Sequence, residues 1–152
     1  MFGIIEITKL SGIIGLFGLL LAGIIYSYVK KQSTGNEVME ELAEQIHDGA
    51  MAFLRREYTL LLGFVVVIGG LLFFAISHET AYAYLAGSIC SVLAGFFGMK
   101  SATRANVRTS AAANQDGTGK ALRVAFFGGA VMGLSVAALG LLGIVAIYIF
   151  GN

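Results

Sequence analysis

The chain has 152 residues, about the length of one domain, but its composition is wrong for a protein dissolved in water. Hydrophobic residues make up 57% and charged residues only 12%, against about 45–50% and about 25% in ordinary globular proteins. This composition excludes a disordered chain. The net charge of +1 and the single cysteine exclude a nucleic-acid-binding module and a disulfide-rich secreted scaffold.

Four long stretches lack charged residues and histidine, and they predict four transmembrane helices. Twenty helical residues span about 30 Å, the thickness of the bilayer's hydrocarbon core, and the stretches do not alternate as barrel strands do. The expected fold class is an all-α polytopic membrane protein. Its single membrane region, 1–152, crosses the lipid bilayer at about residues 10–29, 58–77, 80–99 and 124–150.

The first stretch, 10–29, is interpreted as a retained helix. It is too long for the apolar core of a secretory signal, about 7–15 residues, and Lys30 and Lys31 follow it where a small-residue cleavage site would stand. The short connection from Ser77 to Thr80 makes the second and third spans an antiparallel hairpin.

Basic residues predict the orientation. Nine of the ten lie in the segments 30–57 and 100–123, so the positive-inside rule places both segments in the cytoplasm and both termini on the outer or lumenal side. We therefore expect a multi-pass protein of a cell inner membrane or a vacuolar-type membrane.

The first cytoplasmic segment is predicted to be an amphipathic helix that continues into the second span. Thr34 and Glu37 have the spacing of a capping box. Apolar residues then recur at helical intervals, namely Met39, Leu42, Ile46, Ala50 and Phe53. Acidic residues form the opposite face, namely Glu37, Glu41, Glu44 and Asp48, with Glu40 alongside it. A solvated acidic face is the expected role, with a Mg²⁺ site as the alternative.

The second cytoplasmic segment begins with a predicted helix from Lys100 to Asn114. Arg104 and Arg108 lie one turn apart on one face of it, so they could grip a phosphate group, or reach lipid headgroups without any ligand. The segment from Asn114 to Lys120 resembles a phosphate-binding loop, but Asn114 and Ala121 break the Walker pattern. A flexible turn is expected there.

Within the spans, small residues predict close helix packing. They recur every four residues on the third span (Gly87, Ser91, Gly95) and on the fourth (Gly129, Gly133, Ala137). No Asp, Glu, Lys, Arg or His lies inside a span, so these helices alone offer no path for protons or sodium. His47 and His78 fall on opposite sides of the membrane, and Cys90 is expected to be a packing residue without a catalytic base.

Four segments resemble the N-terminal portion of the membrane-integral, ion-pumping inorganic pyrophosphatases, in order and spacing over about residues 35–145. They are Gly49-Ala-Met-Ala-Phe-Leu-Arg-Arg-Glu-Tyr58, Arg104-Ala-Asn-Val-Arg-Thr109, Gly119-Lys-Ala-Leu-Arg-Val-Ala-Phe126 and Gly128-Gly-Ala-Val-Met-Gly133. The resemblance implies a homodimer with about sixteen helices per subunit, which couples hydrolysis of Mg-pyrophosphate to transport of H⁺ or Na⁺.

The family's acidic substrate motifs and ion-gate residues are expected beyond the fourth helix. This chain has only two aspartates, Asp48 and Asp116, and neither lies in such a motif. We therefore assign no catalytic, cofactor-binding or metal-binding residue, and expect the Mg²⁺ ligands and the pyrophosphate site elsewhere.

The resulting prediction is a fragment of such a pump that packs against the remaining helices and is inactive alone. Two alternatives stay open: an independent four-helix structural or assembly protein, and a small channel lined by Ser88, Ser91 and the glycines. No nucleic-acid partner is expected.

Overall fold

A computed structural model describes residues 2–150, which form four long α-helices. They are α1 (Phe2–Lys30), α2 (Glu37–Ala75), α3 (His78–Gln115) and α4 (Thr118–Phe150). Each contains a stretch long and apolar enough to cross a membrane, which confirms the predicted all-α membrane fold. Met1, Gly151 and Asn152, at the ends of the predicted region 1–152, lie outside the described residues.

Two of the helices are much longer than a bilayer is thick. With 39 residues in α2 and 38 in α3, each measures about 57–59 Å, nearly twice the hydrocarbon thickness of about 30 Å. The segments 30–57 and 100–123 are therefore mostly continuations of spans. As predicted, α2 passes from its amphipathic part into the second span without a break.

The start of α2 corrects one prediction. The N-cap is Asn36, whose side chain accepts a hydrogen bond from the Met39 amide at 2.9 Å, so Thr34 is not the capping residue. Asparagine is as good an N-cap as serine or threonine because its short side-chain oxygen reaches the free amides of the first turn. Gly35, at φ +93°, turns the chain just before it.

A tight turn joins α3 to α4 where the sequence resembled a phosphate-binding loop. α3 ends at Gln115 and α4 begins at Thr118, leaving Asp116 and Gly117 between them. Gly117 has φ +87°, a left-handed conformation that glycine adopts without steric cost. Lys120 donates to the Asp116 carboxylate at 2.8 Å across the turn, so the lysine holds the connection together.

The helices stand in the spatial order α2, α3, α4, α1. α3 packs extensively on both α2 and α4, while α1 packs on α4 and touches α3 at one edge. In the described part of the chain α1 and α2 do not pack on each other, although they are consecutive. α3 is therefore the helix that links the two halves of the bundle.

Of the glycines that the four-residue spacing indicated, Gly95 alone makes a close contact, since a Cβ there would lie 3.1 Å from the Tyr58 hydroxyl of α2. A Cβ at Gly129, Gly133 or Gly87 would meet no atom within 4 Å. Close approaches instead involve Gly128 against Ala105 and Gly98 against Met132 between α3 and α4. Spacing identifies small residues on one face but does not reveal which face meets a neighbour in this chain.

The contact of α1 with α4 also depends on glycine. Gly15 approaches Leu142 and the Ala138 carbonyl so closely that a Cβ would lie 2.9 Å and 3.0 Å from them, and Gly18 faces Ala138. Helices that approach this closely gain dispersion contacts, which drive association where water is absent.

A polar junction and the family it belongs to

Polar side chains gather where α3 leaves the predicted third span. Lys100, Arg104 and Arg108 follow one another at four-residue intervals, so they share one face of α3. This face meets α2 through Arg104 and α1 through Arg108. We call the group formed by Arg104, Arg108, Glu44, His47 and Thr103 the polar junction.

Arg104 forms a close ion pair with Glu44 of α2. Its guanidinium, hydrogen-bonded to the carboxylate, holds the pKa of Glu44 below its usual range, and the carboxylate raises the pKa of Arg104 in turn. Glu44 was predicted to belong to a solvated acidic face. Its side chain is indeed 51% exposed, but its carboxylate also joins two helices, because Arg104 of α3 lies opposite it.

Arg108 is buried, at 7% exposure, and its donors are directed at backbone. Its Nε donates to the Lys30 carbonyl of α1 at 3.3 Å, and a terminal nitrogen donates to the Arg104 carbonyl at 2.8 Å. Burial lowers the pKa of Arg108, since it disfavours the charged form, and the neighbouring Arg104 acts in the same direction.

Both arginines therefore hold helices together in this structure. The geometry does not favour the alternative in which the pair grips a phosphate, because Arg104 is engaged by a carboxylate and Arg108 by two carbonyls. The bond from Arg108 to the Lys30 carbonyl also stabilises the end of α1, because the last carbonyls of a helix have no partner within the helix.

Two further contacts between α2 and α3 were not predicted from the sequence. The Thr103 hydroxyl lies 3.0 Å from the Met99 carbonyl, to which it donates, and shares a hydrogen bond of 2.8 Å with Nδ1 of His47. Tyr58 donates to the Val92 carbonyl at 2.8 Å. Helical spacing was the only sequence signal for the His47 contact. His47 lies one turn after Ala43, which the structure shows to be buried, so both residues lie on the packed face of α2.

Comparison with known proteins identifies the family of this chain. The family described as inorganic H⁺ pyrophosphatase matches residues 16–152. The chain belongs to this family.

The curated relatives are much longer proteins, and the chain covers a small part of each. A protein of Clostridium tetani is 49% identical over 124 residues, which are 82% of this chain and 18% of that protein. A K⁺-insensitive pyrophosphate-energized proton pump of Methanosarcina mazei is 42% identical, covering 89% of this chain and 20% of the pump. A K⁺-stimulated pyrophosphate-energized sodium pump of Thermotoga maritima is 41% identical, and the match covers 96% of this chain and 20% of that pump. The chain thus spans about a fifth of the length of these relatives.

The acidic row of this pyrophosphatase segment does not fit a metal. Among the residues that the structure describes, no three His, Cys, Asp or Glu side chains converge closely enough to hold a metal ion. Glu44 is engaged by Arg104, and Glu41 accepts from Gln45 on its own helix at 3.4 Å. The remaining acids of the row, Glu37, Glu40 and Asp48, are exposed, and no Mg²⁺ ligands are assigned here.

The other residues considered for chemistry contact neighbouring side chains or backbone. Cys90 lies half-buried between α3 and α4 with its Sγ against Gly143. His78 begins α3 with its ring 4.1 Å from that of Phe73, at the opposite end of α3 from the polar junction. Ser88 donates to the Tyr84 carbonyl on its own helix at 2.8 Å.

Proposed function

We propose that this chain is the N-terminal part of a membrane pump that couples hydrolysis of Mg-pyrophosphate to transport of H⁺ or Na⁺. Its own role is to form a four-helix scaffold against which the catalytic and ion-conducting helices pack. The observation that carries the proposal is the family match over residues 16–152, in relatives that are about five times as long and are named as pyrophosphate-energized pumps.

The amphipathic half of α2 supports the scaffold role. The apolar row predicted there is exposed: Leu42 is 52% exposed, Ile46 56% and Phe53 55%, with Val38 beside them. These residues precede the predicted span 58–77, so the lipid core does not cover them. A contiguous apolar row facing water is unfavourable, and further helices of the same pump are the natural cover.

The orientation and the partners form part of the proposal. The basic segments 30–57 and 100–123 face the cytoplasm, because positive charge is retained there during membrane insertion. The complete pump acts as a homodimer on Mg-pyrophosphate, and its Mg²⁺ ligands, pyrophosphate site and ion gate lie in the four-fifths of the pump outside this chain.

The reading frame downstream of Asn152 tests the fragment proposal. Continuation into further apolar helices with aspartate-rich segments would support it. A stop codon after Asn152, with no pyrophosphatase-like frame nearby, would contradict it and favour an independent assembly protein.

Orientation can be tested by labelling single cysteines with a membrane-impermeant maleimide. In a Cys90→Ser background, Glu79→Cys should react in intact cells, whereas Ser33→Cys should react only after the membrane is permeabilised. The reverse pattern would contradict the proposed sidedness. Unmodified Cys90→Ser protein gives the background labelling.

A further inference from the structure

A pocket of about 290 Å³ opens between α1, α3 and α4 on the basic side of the bundle. Lys100 and Tyr26 line it at one end, beside Phe97. Both polar residues lie where the predicted spans 80–99 and 10–29 end, so this end of the pocket is level with lipid headgroups.

Lys100 has a charge that the described residues do not neutralise. Its ammonium group lies 5.5 Å from the centroid of the Phe96 ring, and no carboxylate within residues 2–150 pairs with it. Two other cations of the same side are paired within these helices, Arg104 with Glu44 and Lys120 with Asp116. Lys100 is therefore available to an anion from outside these helices.

The rest of the pocket is apolar and extends toward the membrane centre. Leu19 and Ala22 line it on α1 and Val131 on α4. Leu19 lies seven residues before Tyr26, which is about 10 Å along a helix. The Ser135 hydroxyl also borders the pocket but donates to the Val131 carbonyl of its own helix at 2.7 Å, so it adds no free polar group.

We propose that this pocket binds one anionic phospholipid. The phosphate lies beside the Lys100 ammonium and the Tyr26 ring, and an acyl chain follows the apolar wall formed by Leu19, Ala22 and Val131. Basic pockets between transmembrane helices bind anionic headgroups in this way, and tyrosine favours the same interfacial depth. A free phosphate would satisfy Lys100 but leave the apolar wall unfilled.

The proposal is independent of the pump activity. It depends on the membrane fold and on the position of Lys100 at the end of a span, and the proposed orientation adds that the lipid belongs to the cytoplasmic leaflet. Anionic lipids are concentrated in that leaflet.

Native mass spectrometry of the protein as its gene encodes it tests the proposal. Protein in mild detergent is titrated with phosphatidylglycerol or with phosphatidylcholine of the same acyl chains. We expect one phosphatidylglycerol to be retained preferentially, and Lys100→Gln to reduce that preference about fivefold, the contribution of one basic residue near an anionic surface. Lys31→Gln, an exposed lysine on the same side, is the matched control and should change little.

A second variant tests the acyl-chain wall without changing charge. Gly23 lines the pocket, and a Cβ there would meet no atom within 4 Å, so Gly23→Leu should fold normally and fill the pocket. It should abolish the bound lipid, whereas Gly63→Leu, also in open space on α2, should not. Circular dichroism confirms that each variant retains its helices.

Three results would overturn the proposal. Equal retention of the two lipids would show that Lys100 selects no anionic headgroup, and this result is expected if another helix of the pump fills the pocket. An equal loss in Lys31→Gln would indicate unspecific surface charge. Displacement of phosphatidylglycerol by millimolar inorganic phosphate would identify a phosphate site without an acyl-chain component.

Discussion

The two packed faces of α3 are held by different kinds of interaction. Toward α4 the contact is close and largely apolar: Gly128 meets Ala105, Gly98 meets Met132, and the buried Ser101 donates to the Gly128 carbonyl at 3.1 Å. Toward α2 the contact depends on polar side chains, through Glu44 with Arg104, His47 with Thr103 and Tyr58 with Val92.

The difference follows from the residue types that lie at each contact. A glycine lets two backbones approach until a single side-chain hydroxyl can reach a main-chain carbonyl, so few polar atoms are needed. Between α2 and α3 the glycines meet side chains and not backbone: a Cβ at Gly69 would lie 3.4 Å from Leu85, and one at Gly95 would lie 3.1 Å from the Tyr58 hydroxyl. Long polar side chains make the other contacts between these two helices. The face toward α4 should therefore be sensitive to volume, and the face toward α2 to hydrogen bonding, pH and salt.

The largest expected effect is that of Gly128→Leu. A Cβ at Gly128 would lie 2.4 Å from the Ala105 Cβ, so α3 and α4 must separate and the bond from Ser101 is lost. We expect the free energy of unfolding to fall by about 1–3 kcal/mol, the usual cost of overpacking, measured by denaturant titration in detergent.

The adjacent glycine supplies the control for this variant. Gly129 is exposed and a Cβ there would meet no atom within 4 Å, so Gly129→Leu should leave the stability unchanged or raise it through better helix propensity. Equal losses in the two variants would show that glycine content, and not the contact with Ala105, governs the stability of this pair.

A smaller effect is expected for Tyr58→Phe on α2, which contacts the opposite face of α3. The change removes the donor to the Val92 carbonyl and keeps the ring, so the loss should be about 0.5–1.5 kcal/mol, the net value of one hydrogen bond. The same titration measures it. Tyr82→Phe, at an exposed tyrosine, is the control, and a loss there as large as at Tyr58 would contradict the role of the bond.

The smallest effect is expected for Glu44→Gln, and it should depend on pH. Because Arg104 holds the pKa of Glu44 below its usual range, the carboxylate binds a proton less readily when α2 and α3 are docked than when they are apart. The stabilisation is present above the ordinary glutamate pKa of about 4.3 and is lost as the pH falls through the lowered value.

Melting temperatures of wild type and Glu44→Gln should therefore differ at pH 7 and converge in acid. High salt should also reduce the difference, because exposed pairs are screened. Glu41→Gln, an acid without an arginine partner, controls for net charge. A difference that persists unchanged in acid would show that Glu44 acts through its shape and not through its charge.

Sequence patterns predicted the features of this bundle that depend on local composition. The charge-free runs located four helices, and helical spacing placed Arg104 and Arg108 on one face. Contacts between helices could not be obtained in this way, because the partner of Arg104 lies 60 residues away on α2 and the partner of Arg108 is a backbone carbonyl on α1.

The packing glycines show the same limit. Gly128 and Gly129 are adjacent glycines that the sequence does not distinguish. Only the rotation of α4 against α3 decides that the first is buried and the second exposed. The N-cap was misplaced for a similar reason, since Thr34 and Asn36 are both acceptable caps and the turn at Gly35 selects the second.

The most direct test of the central claim is a comparison of pyrophosphate hydrolysis by two proteins in reconstituted vesicles: residues 1–152 alone, and the longer pump of which they are proposed to be a part. The account predicts Mg²⁺-dependent hydrolysis, with accompanying ion transport, by the longer protein only. Measurable hydrolysis by the 152-residue chain would contradict it.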